Sequence, residues 1–88
     1  MNIRIDTADM SYSKQDGYLG HVEFAAEGHP HAYEITLQSK NANDWAYSLN
    51  FARESGEEAH IEAVEAALEE DDELFDELVQ AAMSRLER

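Results

Sequence analysis

Between Asn2 and Ala52 apolar residues alternate with polar ones in four segments, the period of strands that bury one face. Ile3 and Ile5 alternate with Arg4 and Asp6, and Val22 and Phe24 with His21, Glu23 and Ala25. Tyr33, Ile35 and Leu37 alternate with Glu34, Thr36 and Gln38, and Trp45, Tyr47, Leu49 and Phe51 with Ala46, Ser48 and Asn50. Turn chemistry separates the four segments. Asp16-Gly17 is a hairpin signal, Glu27-Gly28-His29-Pro30 cannot continue a ladder, and Lys40-Asn41-Ala42-Asn43-Asp44 contains asparagines that tolerate left-handed backbone. Connections this short predict an antiparallel meander.

Beyond Ser55 the period changes to 3.6. Ile61, Val64, Leu68, Phe75, Val79, Ala82 and Leu86 form one stripe, and Glu58, Glu62, Glu65, Glu69, Glu73 and Asp76 the opposite one. Ser55-Gly56-Glu57-Glu58 reads as a capping box that starts the helix at Ser55. Asp71 falls inside the apolar stripe, where an unpaired carboxylate is costly to bury, so the helix is expected to break there. Asp71 or Asp72 would cap a second helix, with Arg85 and Arg88 in its last turn as the helix dipole favours. The competing form is one kinked helix.

A sheet with one apolar face and two helices with apolar stripes cover each other, which predicts a two-layer α+β fold. The expectation is a four-stranded antiparallel meander with two C-terminal helices packed on one face, ββββαα, as a single domain over residues 1–88. Trp45, Phe51, Ile61 and Phe75 would share the core. The opposite sheet face, with Arg4, Asp6, His21, Glu23, Glu34, Thr36, Gln38, Ser48 and Asn50, would be wet.

Charge sharpens this picture. Residues 54–88 carry 13 of the 20 acidic side chains against Arg85 and Arg88, a net −11; residues 1–53 carry seven against four, a net −3. Such a surface repels phosphates and anionic lipids, so neither direct nucleic-acid binding nor membrane binding is expected. No stretch approaches the roughly 18 apolar residues of a membrane span, and Arg4 and Asp6 interrupt any signal-peptide core, which makes the cytoplasm the expected compartment. The absence of cysteine removes disulfides, thiolate metal sites and thiol nucleophiles.

Candidate chemistry is sparse. Glu69-Glu70-Asp71-Asp72-Glu73 suggests calcium, yet an EF-hand loop needs a glycine at its turn and none follows Gly56. His29-Pro30-His31 offers two imidazoles, with His21 or His60 as further ligands, but no third ligand at a defined spacing. The row Phe24, Tyr33, Trp45, Tyr47 and Phe51 reads as core rather than as a stacking platform. No phosphate loop or nucleophile elbow is present. The expectation is a non-enzymatic interaction module without cofactor or metal, whose face of Glu58, Glu62, Glu65, Glu69, Glu73 and Asp76 contacts a basic protein. The alternative makes the charge a solubility or salt adaptation, with function on the polar sheet face or at a homo-oligomer interface. A nucleic-acid mimic and a small metal-dependent enzyme stand further off.

Overall fold

The computed structural model describes residues 1–86. Four strands, β1 (Ile3–Ser13), β2 (Gly17–Ala26), β3 (Tyr33–Ser39) and β4 (Ala46–Phe51), precede two helices, α1 (Glu58–Glu70) and α2 (Asp72–Met83). The strands form one open sheet in the order β1-β2-β3-β4, every pair antiparallel. This is the expected α+β meander, with both helices against one face.

β1 is longer than the alternation suggested because it changes phase midway. Ile5 pairs with Phe24 and Thr7 with Glu23, so Asp6 is an extra residue, a β-bulge. Before it the odd residues Ile3 and Ile5 point to the helices; after it the even residues Ala8 and Met10 do. A two-residue period cannot register a strand that switches parity at an aspartate. Gly20 stands opposite Met10, and a Cβ there would lie 2.7 Å from the Met10 Cε, so the glycine makes room for that side chain.

The hairpin at Asp16-Gly17 forms as expected, with Gly17 at φ 77° and Ser13 paired across the loop. In the next loop but one, left-handed backbone falls on Ala42, φ 63°, and on neither asparagine. Asn41 is committed otherwise: its Oδ1 accepts from the Asn43 and Asp44 N–H groups at 2.9 and 3.0 Å.

The core lies between the two central strands and the helices. Val22, Phe24, Tyr33, Ile35, Leu37, Val64 and Leu78 are completely buried. Trp45, Phe51, Ile61 and Phe75, expected to share the core, pack against it and are half-buried. α2 packs against β1 and β2 and α1 against β4, an outer strand with no neighbour on its far side. Leu74 and Leu78 are buried although the single continuous stripe omitted them, because the break at Asp71 resets the helical phase.

That break is built as anticipated. Asp71 ends α1, its N–H donating to the Ala67 carbonyl, and its Oδ1 accepts from the N–H groups of Glu73 and Leu74 at 3.1 and 3.2 Å. Two other caps differ. α1 has Glu57 as its N-cap with no side-chain bond, so Ser55 does not cap it. Residues 54–57 are spent crossing from the sheet to the helical layer, and Gly56 sits so close to His31 and Phe51 that a Cβ would lie 2.7 Å from the His31 ring. α2 ends at Met83 with Ser84 as its cap, so Arg85 lies beyond its last turn; Arg88 lies outside the described residues.

Candidate partner-binding surface

The helices present an acidic layer. Twelve carboxylates lie between Glu54 and Glu77 without one Lys or Arg among them, and all twelve residues are exposed. Their ion-pairing partners among the described residues are histidines alone: His31 is 3.9 Å from Glu54, and His60 is 3.9 Å from Glu57. The described arginine pairs lie on the sheet, Arg4 with Asp6 at 3.1 Å and Arg53 with Glu23 at 3.5 Å. The layer's charge is therefore left to solvent and counterions.

The six residues read from the sequence fall into two groups. Glu58, Glu62, Glu65 and Glu69 recur at i+3 and i+4 along α1, and Glu73 and Asp76 begin the neighbouring run on α2. Five of them make no side-chain hydrogen bond or ion pair within the described residues. Glu69 is different. Its Oε1 accepts a 2.9 Å hydrogen bond from the Tyr47 hydroxyl, which ties α1 to β4. Burial first, then this bond and the charges of Glu69 and Glu65, push the Tyr47 phenol up to about 12. Burial alone raises Tyr33.

The histidines are spread over local contacts. His29 shares a 2.7 Å hydrogen bond with the Tyr33 hydroxyl and lies 5.3 Å, ring to ring, from His60. His31 meets the Phe51 ring edge-on at 6.3 Å, and His21 pairs with Asp9 at 3.3 Å. Among the described residues no three His, Asp or Glu side chains converge as a metal site. The acidic run from Glu69 to Glu73 is a helix junction held by the Asp71 cap.

The sheet face away from the helices is polar and uncovered. Register sets Thr7, Glu23, Glu34 and Asn50 in one row across it, and Asp9, His21, Thr36 and Ser48 in the next. At one end a cleft of about 650 Å³ has Arg4, Arg53, Asp6, Glu27, His29 and His31 in its wall. Its two arginines and two carboxylates balance, so it lacks the single-sign character of the helical layer. Neither the cleft nor the half-buried rim along β4 was legible from periodicity. The lack of any charge in Ala46–Phe51 was the available signal for the rim. No described helix is long and apolar enough to cross a membrane. Comparisons with family models, with curated proteins and with solved structures find no match to the chain.

Proposed function

We propose that the protein is a non-enzymatic interaction module whose acidic helical layer binds a basic protein partner. The observation that carries this reading is the uncompensated layer itself: twelve exposed carboxylates with no Lys or Arg paired to them among the described residues. Concentrating like charge on one layer destabilises the monomer, and a cationic partner relieves that repulsion while gaining attraction. Nucleic acid and anionic membranes carry the wrong sign. The reading takes the cytoplasm as its compartment, where a cysteine-free fold held by packing needs no oxidising environment.

The test compares capture from the native lysate by wild type, by E58K/E62K/E65K, and by a control reversing Asp16, Glu27 and Asp44, which lie off the helices. A defined set of basic proteins should be retained at low salt by wild type and the control, and lost from the helix variant and at high salt. Equal retention by all three proteins would mean that the carboxylates only keep the chain dispersed.

A further inference from the structure

The two edges of the sheet are built differently. β1 carries the devices that keep an edge from pairing with another chain: a bulge at Asp6 and the charges of Arg4, Asp6 and Asp9. β4 has none. It pairs with β3 in unbroken register and is, alone among the strands, free of charged residues. No described residue bonds to its outer side.

The free hydrogen-bonding groups of this edge can be assigned. The Ala52 N–H donates to the Ala32 carbonyl at 3.0 Å, one step past the pair of Phe51 with Tyr33. Bonded and non-bonded pairs alternate along an antiparallel ladder. Asn50, Ser48 and Ala46 therefore bond towards β3, and Tyr47, Leu49 and Phe51 turn their N–H and C=O groups outward. The side chains of those same three residues face the helical side and are only half-buried. Beside them runs α1, joined to the edge by the bond between Tyr47 and Glu69.

We infer that the β4 edge accepts an extended basic segment of the partner as a fifth, antiparallel strand. This inference rests on the acidic-layer reading and gives its partner a conformation. Residues opposite one another on paired strands share a face, so every second side chain of the incoming strand points to the helices. Lys or Arg at those positions lays its aliphatic stem over Tyr47 and Leu49 and carries its charge to Glu65 and Glu69. Backbone bonds to the outward groups supply the rest of the contact, and the intervening side chains meet the neutral Ser48 and Asn50. A second copy of this chain would bring two acidic α1 helices together at the same edge, and charge disfavours it.

The probe is a blocked peptide of alternating lysine and valine, titrated into the protein while the emission of Trp45, the one tryptophan, is followed. Antiparallel addition makes the lysine backbone N–H groups the donors to β4, while the valine N–H groups point away. Methylating the lysine backbone nitrogens should weaken binding by about tenfold or more at unchanged charge; methylating the valine nitrogens should leave it within about twofold. Equal affinity of all three peptides, falling with salt, would overturn strand addition and leave the acidic-layer reading standing. No saturable response to the parent peptide would overturn strand addition as well, and capture of basic proteins by wild type but not by the helix variant would still decide the layer.

Discussion

Tyr47 joins the acidic helix to the sheet edge, and its phenol is held protonated well above its ordinary value of 10.0, up to about 12. Between those values the unfolded chain has lost the proton and the folded chain keeps it, so stability falls as pH rises through this window. The contribution is fully present below pH 10. Tyr47→Phe should therefore flatten, though not abolish, the alkaline loss of stability, since Tyr33 is shifted the same way. Denaturation midpoints across the window check this; an unchanged alkaline slope in the variant would contradict it. Ala42 holds a left-handed backbone that costs an L-residue about 1–2 kcal/mol. Ala42→Gly should stabilise by up to about 1 kcal/mol, the extra freedom of glycine in the unfolded chain taking back part of the gain. In the core, Leu78→Ala should cost about 2–5 kcal/mol by chemical denaturation, because its site is completely enclosed. Phe51→Ala should cost less than Leu78→Ala, since Phe51 sits at the rim.

Caps and the bulge divide what a sequence displays from what only packing decides. Asp71→Ala should lose about 0.5–2 kcal/mol with its two backbone bonds, whereas Ser55→Ala should change stability by less than about 0.5 kcal/mol, because Ser55 caps nothing. Comparable losses in the two variants would reverse the assignment of caps. Asp71 was legible because a carboxylate in an apolar stripe has few other uses. Ser55 misled because the capping pattern is local, while the crossing from β4 to α1 is set by the close approach of Gly56 to His31 and Phe51. The second half of β1 was hidden by the bulge at Asp6, and Leu74 and Leu78 by the phase reset at Asp71. Deleting Asp6 would join Ile5 to Thr7 in regular alternation, so that variant should fold. Deleting Glu23 would turn one half of β2 inside out and should not. Amide exchange or circular dichroism distinguishes the two.

Over the whole molecule, fold and charge separate cleanly. The sheet and two helices follow from alternation, turns and amphipathic stripes, whereas the charge follows from none of them. The fold needs the inner faces of α1 and α2; of the carboxylates outside them, Glu69 bonds to Tyr47 and Asp71 caps α2, while Glu58, Glu62, Glu65, Glu73 and Asp76 make no side-chain bond among the described residues. Moderate salt should raise the melting temperature by screening them; a midpoint independent of salt would mean that the carboxylates are already compensated. The candidate site was legible only as a face, because its six acids were visible from spacing while the tie of Glu69 to Tyr47 required the tertiary contact. The most direct test replaces Glu58, Glu62, Glu65, Glu69 and Glu73 by Gln and Asp76 by Asn, which keeps shape and hydrogen bonding and removes only charge. The dissociation constant of the captured basic partner is then measured against wild type and variant over a range of salt concentrations. Wild-type affinity should fall steeply with salt, and the amide variant should bind weakly with little salt dependence. Equal affinities with equal salt dependence would contradict the assignment of the acidic helical layer as the binding surface.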